Sequence, residues 1–386
     1  MNNLKKICAA FLAVLMIVTV AGCSIKPTWS YKTDSKEYAE GVYIYSLFSA
    51  YNEAYTILQE QLGDKFDATA SILDITADFD GEEGEEGKVL CETWIKNQAD
   101  IITRNLAALD KKVEEYGISL DKTQVESARE LAKEDWYLGP YYEYYVASGY
   151  EATSYETMLA PYGVSFDSFF TSTYLASVKQ TAIFEYLYGK NGIEAVSDDE
   201  IKKYFTENYT SYAYFTVNLY ETTINTETNQ QEYLPYSQEL IDGVEKELKS
   251  YAKQVNSGTP YTEVMYQYMK AHNIVDNPTV YNTEILDNSA LGEEVLKAVK
   301  ELKEGKATYL KVGTGDTSIM YFVTKFPIED EAEAYLKADG NRQTILQTLK
   351  TDDFRNYLDE ITESVEVEVN EKAINKYSPA IFEENL

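Results

Sequence analysis

The chain of 386 residues holds a single histidine, His272, and only three cysteines. One imidazole excludes multi-histidine metal sites and leaves little scope for histidine-based acid–base chemistry. No metal and no cofactor is expected. Positive charge is the second shortage. The 34 Lys and Arg stand against 65 Asp and Glu, giving a formal charge of −31. Such a surface repels phosphate backbones, which argues against nucleic-acid binding, and it repels anionic lipid headgroups as well. Membrane attachment therefore needs another cause. What remains is ordinary for a globular protein, 44% hydrophobic and 26% charged, so a collagenous or wholly disordered chain is excluded. The length suggests about two domains. Tyrosine is abundant, at 35 residues.

The N-terminus supplies the missing cause. Lys5 and Lys6 precede an apolar stretch from Ile7 to Ala21, followed by Val20-Ala21-Gly22-Cys23. A basic head, an apolar segment short for a membrane span, and small residues before the cut describe a secretory signal over residues 1–22. The terminal VAGC resembles a bacterial lipobox, which implies cleavage before Cys23 and its diacylation. A plain signal peptide with an incidental cysteine is the alternative. Loss of Lys5 and Lys6 takes the charge from −31 to −33, so lipid rather than charge would hold the chain at the membrane. Cys8 leaves with the signal, so Cys91 is the one unmodified thiol and no internal disulfide can form. Beside Leu90 and near Trp94 it reads as a small core residue. A nucleophile paired with His272 would be the other reading, without a motif behind it.

Residues 23–36 are polar and aperiodic and read as a tether. Tyr43, Leu47, Ala50, Ala54 and Ile57 recur at helical steps, and Ile95, Ala99, Ile102, Leu106, Leu109, Val113 and Tyr116 do so more strongly. Between them Asp78–Gly87 is acidic. Glu83 stands where an EF-hand loop needs glycine and Val89 where it needs glutamate, so it reads as a solvated loop. Asp121 with Gln124 starts a further helix, Gly139-Pro140 interrupts it, and Ser165 caps another over 166–188. Residues 37–196 thus read as a helical lobe. Ser197 and Glu200 form a capping box, after which the pattern turns mixed. Tyr212–Tyr220 reads as a strand, 221–235 as a polar loop, and 237–256, 261–272 and 292–303 as helices. Thr308–Val312 and Ser318–Lys325 read as strands joined by Gly313-Thr314-Gly315-Asp316. Residues 331–364 return to helix, and Val365, Val367 and Val369 alternate with glutamates. The fold class expected is α+β: a mostly helical lobe (37–196), an inserted β-α-β domain (197–330), and a C-terminal helix (331–386) that returns to the lobe.

Three stretches carry a resemblance. Val196-Ser197-Asp198-Asp199-Glu200-Ile201-Lys202-Lys203-Tyr204-Phe205 with Asn208, Leu302-Lys303-Glu304-Gly305-Lys306, and Ile319–Lys325 resemble the parvulin portion of extracytoplasmic foldases of the PrsA and SurA type. The tail from Phe354 through Tyr357-Leu358 to Val367 is similar to that family's returning helix. The resemblance implies a parvulin-like insert and a role in folding exported proteins at the outer face of a membrane, in a Gram-positive type of cell. It also implies two strand histidines, and these are absent. Phe215 stands at the first position and Met320 or Tyr321 at the second, while Asn282-Thr283-Glu284-Ile285-Leu286 is the nearest equivalent of the family's G-G-D-L-G turn. Phenylalanine and methionine offer walls to a proline ring but no hydrogen-bond donors, so inefficient isomerisation is expected. Core packing is their other reading.

A cleft that holds unfolded chains needs apolar area with adaptable hydrogen bonding, which tyrosine supplies. The densest cluster is Trp136, Tyr137, Tyr141, Tyr142, Tyr144 and Tyr145, with Tyr150, Tyr155 and Tyr162 after it. Two readings stay open: an exposed client-binding patch, or the core of a tyrosine-rich helical lobe. The function expected is a membrane-anchored chaperone for unfolded exported proteins. The alternatives are an active peptidyl-prolyl isomerase and a solute-binding lipoprotein, and a homodimer is left open. The absence of alternating βα units weighs against the solute-binding fold.

Overall fold

The computed structural model describes residues 29–79, 87–226, 229–338 and 340–383. The apolar segment Ile7–Ala21, Cys23 and residues 80–86 of the acidic stretch lie outside the described residues. The fold is α+β. It divides into two compact units, residues 1–194 with 352–386, and residues 195–351.

The first unit opens with β1 (Trp29–Lys32) and β2 (Glu37–Ala39), followed by α1 (Glu40–Leu62). A two-residue pairing of β3 (Thr76–Ala77) with β4 (Val89–Leu90) leads into α2 (Cys91–Glu115). Leu47, Ala50, Ala54 and Leu58 of α1 and Ile95, Ala99, Leu106 and Leu109 of α2 are buried, and these two helices pack together. That is the outcome the three- and four-residue spacing predicts. A Thr103 hydroxyl donating to Ser46 Oγ at 3.0 Å satisfies both groups inside the contact. Helix α3 (Lys122–Leu138) starts where Asp121 accepts the Thr123 and Gln124 amides. After it come α4 (Tyr142–Ala147), α5 (Tyr155–Leu159), α6 (Phe166–Ser172) and α7 (Tyr174–Tyr188). Ser165 caps α6, yet the single helix expected over 166–188 is broken at Thr173, which sits at φ −117°, ψ −87°. Its hydroxyl donates to the Phe169 carbonyl at 2.7 Å, a side-chain bond that competes with helical continuation.

The second unit begins with α8 (Asp198–Asn208), where the Glu200 amide donates to Ser197 Oγ and the Ser197 amide to Glu200 Oε2, closing the capping box. Strand β5 (Thr210–Asn218) follows. Residues 221–235, expected as a loop, form most of a hairpin of β6 (Tyr220–Ile224) and β7 (Gln231–Pro235), whose exposed polar residues hide the alternation a half-buried strand would show. Then come α9 (Gln238–Asn256), α10 (Tyr261–Ala271) and β8 (Val280–Glu284). The stretch taken as a turn equivalent, Asn282–Leu286, is largely this edge strand. After α11 (Glu293–Glu301), β9 (Lys306–Val312) and β10 (Ile319–Lys325) complete an antiparallel sheet of order β8-β5-β10-β9. One face packs on α9 and α10, and the other carries the cluster containing Val295 and Val299 of α11.

The helix expected over 331–364 is two, α12 (Ile328–Lys337) and α13 (Asn341–Ser364), separated around Gly340 with its φ of +84°. Helix α12 and residues up to 351 cluster with the second unit, which therefore extends past the expected boundary at 330. Phe205 of α8 stacks on Tyr335 of α12 at 4.7 Å.

The tether expected over 23–36 is corrected in its second half. Strand β1 is the middle strand of a three-stranded sheet, between β2 and β11 (Glu368–Val369), with Tyr31 opposite Val369 on one side and Tyr38 on the other. Tyr31 and Tyr38 are buried, and their hydroxyls donate to Asp100 and Asp110 of α2, each at 2.6 Å. Asn370, just before α14 (Glu371–Ile374), donates to the Trp29 carbonyl at 2.9 Å. A four-residue strand is too short for its period to register, and its partner comes from the far end of the chain.

Candidate functional site

The tyrosine cluster resolves into a buried root and an exposed tip. Trp136 is only 2% exposed and packs against Phe166 and Phe169, so it belongs to the core and not to a client surface. Tyr137, one position on, faces away and stacks on the outer side of Phe166 at 6.3 Å. The helix ends at Gly139, whose φ is +96°. A Cβ there would collide with the Thr153 carbonyl, whose carbon lies 2.9 Å away. Gly139 is thus required on two counts, positive φ and close backbone approach.

That approach brings together the ends of a compact loop, residues 139–153, built around α4. On it Tyr141 is 79% exposed, Tyr144 70% and Tyr150 69%, with Tyr142, Tyr145, Leu138 and Val146 also exposed. Tyr141 adopts φ +59°, a left-handed conformation that costs a bulky residue on the order of 1 kcal/mol. The loop is held by backbone bonds from the Tyr145 amide to the Tyr141 carbonyl and from the Tyr150 amide to the Tyr145 carbonyl. Its base is rigid. Tyr155 packs against Phe169 at 4.9 Å and Phe48 at 6.4 Å, and burial pushes its phenol up. Tyr174 donates its hydroxyl to Asp135. On the same helix, a groove of about 400 Å³ runs between Thr123–Leu131 of α3 and Tyr174–Thr181 of α7. Sequence reading had no means to separate Trp136 from Tyr137. Sequence alone does not show the exposure of Leu138 and Val146, although Leu138 directly precedes the helix-ending Gly139.

The positions matched to parvulin histidines lie in the second unit. Across β5 and β10, Phe215 faces Phe322, Thr216 faces Tyr321 and Val217 faces Met320. Phe215 and Met320 are buried in the cluster against α9 and α10. Tyr321 packs with Tyr214 at 5.6 Å in the cluster on the other face, as strand alternation demands. The three do not converge. In place of a donor network stands a ring ladder, with Phe215 at 5.2 Å from Phe322 and 4.5 Å from Tyr268, and Tyr268 at 4.5 Å from His272. His272 caps the end of α10. Its Nε2 lies 2.9 and 3.0 Å from the Glu247 carboxylate oxygens, to which Tyr251 also donates at 3.0 Å. Glu247 was not foreseen as its partner.

Cys91 is fully buried, and burial pushes its thiol up to about 12, the opposite of what a nucleophile needs. Among the described residues no group of three or more His, Cys, Asp or Glu could hold a metal ion, and no helix is long and apolar enough to cross a membrane.

No family model matches the chain, and no curated protein matches it. Among solved structures it is similar to the foldase protein PrsA from Streptococcus pneumoniae, at 14% identity and a TM-score of 0.32, over 76% of this chain and 97% of that one.

Proposed function

We propose that the protein is a lipid-anchored chaperone at the outer face of the cell membrane, holding partly folded exported proteins through its tyrosine tip, without efficient prolyl isomerisation. The observation that carries this reading is the exposed loop 139–153. It presents Tyr141, Tyr144 and Tyr150 to solvent on a backbone that is strained at Tyr141, an arrangement that stability alone does not favour. Tyrosine faces offer apolar area, their hydroxyls adapt to many partners, and few rotatable bonds are frozen on contact. The histidine-free strands β5 and β10 support the absence of isomerase chemistry, because Phe215 and Met320 are packing residues in a closed core.

In an aggregation assay with a chemically denatured client, residues 24–386 are expected to suppress light scattering. The triple variant Tyr141→Ala, Tyr144→Ala, Tyr150→Ala is expected to lose most of that effect while keeping its circular dichroism and melting point, since exposed substitutions change stability by about 0.5 kcal/mol or less each. No suppression by the wild-type chain, or equal suppression by the variant, would sink the reading.

Anchoring rests on Val20-Ala21-Gly22-Cys23. Only residues 24–28 separate Cys23 from β1, and six residue steps reach about 20 Å at full extension, so the lipid would keep the helical unit close to the bilayer. Membrane fractionation is expected to find the wild-type chain in the pellet and Cys23→Ala in the soluble fraction. An unchanged distribution would remove the anchor from the proposal.

A further inference from the structure

The tip is acidic as well as aromatic. Between Glu134 and Val178 the chain has no lysine, arginine or histidine, while Glu134, Asp135, Glu143, Glu151, Glu156 and Asp167 are acidic. Asp135 is engaged by Tyr174 and Asp167 by Arg129. Glu143, Glu151 and Glu156 are exposed and form no ion pair among the described residues. Glu143, between Tyr142 and Tyr144, and Glu151, after Tyr150, sit next to exposed rings in sequence, while Glu156 lies in α5 just beyond the loop, after the packed Tyr155. The protein already shows how a cation is taken up at the root of this region. Arg129 lies 5.0 Å from the ring centres of both Phe166 and Phe170 while donating to Asp167 at 2.7 Å. That is an arginine held between aromatic faces and a carboxylate. The tip repeats both components, ring and carboxylate, and lacks the cation.

We infer that loop 139–153 is a binding site for arginine-bearing segments of unfolded polypeptide, with guanidinium groups lying on Tyr141, Tyr144 and Tyr150 and neutralised by Glu143, Glu151 and Glu156. This rests on the chaperone reading and narrows its client class. Acidic segments are rejected by like charge, and neutral ones are held by ring contact alone. Arginine is favoured over lysine because its planar, weakly hydrated head stacks on a ring while its N–H groups reach a carboxylate. A second copy of the chain, with a net charge of −31, is a poorer occupant of an acidic tip.

The test uses residues 24–386 and three labelled, unstructured peptides of one apolar sequence, carrying three Arg, three Gln or three Glu, read by fluorescence anisotropy. The Arg peptide is expected to bind about tenfold more tightly than the Gln peptide, and the Glu peptide most weakly. The advantage should shrink as salt is raised and disappear in Glu143→Gln, Glu151→Gln, Glu156→Gln, a variant whose changes are all at exposed positions. Equal binding of all three peptides, lost in the tyrosine variant, would overturn the arginine preference and leave client capture at the tip intact. An arginine preference that survives both triple variants would place cation binding elsewhere and overturn the site. If no peptide binds and aggregation is not suppressed, the chaperone reading itself falls. A concentration-dependent dimer abolished by the tyrosine variant would overturn the proposal in favour of self-association.

Discussion

Phe215→Ala is expected to destabilise the unit formed by residues 195–351 by about 3–5 kcal/mol, the range for removing a buried phenylalanine ring. The ring is 2% exposed and contacts Phe322 and Tyr268 on a sheet face closed by α9 and α10, so the void has no easy way to collapse. Hydrogen exchange should show the loss directly, with faster exchange of the β5 and β10 amides and little change in α1 and α2. The milder Phe215→Leu should stay folded. Neither the wild-type chain nor that variant is expected to speed the slow, proline-limited refolding of a reporter protein. Acceleration by the wild type that Phe215→Leu removes without unfolding would make this position part of a working pocket and reverse its assignment to the core.

Asp110→Ala should be at least as damaging to the other unit. Asp110 accepts from Lys179 at 2.5 Å, from Lys36 at 2.7 Å and from the Tyr38 hydroxyl at 2.6 Å. Lys179 is almost fully buried, and burial pushes its ammonium below the ordinary lysine range although Asp110 opposes the shift. Burial also works against the Asp110 carboxylate, but Lys179 and Lys36 together outweigh it and hold the carboxyl below its usual value. The pair is therefore stable only as a whole. Removing the carboxylate strands a buried cation and is expected to cost about 3–5 kcal/mol, whereas Asp110→Leu with Lys179→Met should recover much of the loss. A cost below about 1 kcal/mol for the single change would contradict this account.

The same network sets an acid limit. The folded pKa of Asp110 lies below its unfolded value of about 4, so its contribution is complete above that pH and is lost as pH falls through the lowered folded value. Urea unfolding of the helical unit followed through this window should show stability falling toward acid, with the slope reduced in the double replacement. Because Lys36 lies between β1 and β2 and Tyr38 within β2, the first region to loosen in acid should be β1 and β2.

How much of this was legible without coordinates depends on how far apart in the chain the cause lies. Local causes were readable. The spacing of Leu47, Ala50 and Ala54 and of Ile95, Ala99 and Leu106 specified α1 and α2, because burial of one helix face needs only a period. Asp121, Ser165 and the Ser197–Glu200 box marked helix starts, because a cap acts within three residues. The shortage of histidine and of positive charge bounded the chemistry before any fold was known.

Tertiary structure alone decided the rest. Strand β1 exists because residues 368–369 pair with it, and no window around Trp29 contains that partner. Strand β8 is supported by β5, and the Asp110–Lys179 pair joins two helices. Most consequential for the proposed function, the neighbouring aromatic residues between Trp136 and Tyr150 divided between interior and solvent. Trp136 turns inward onto Phe169. Tyr141, Tyr144 and Tyr150 stay outside, because Gly139 closes a loop too small to bury them. Composition put tyrosine there, and the side each ring faces was set by contacts with residues it cannot see along the chain.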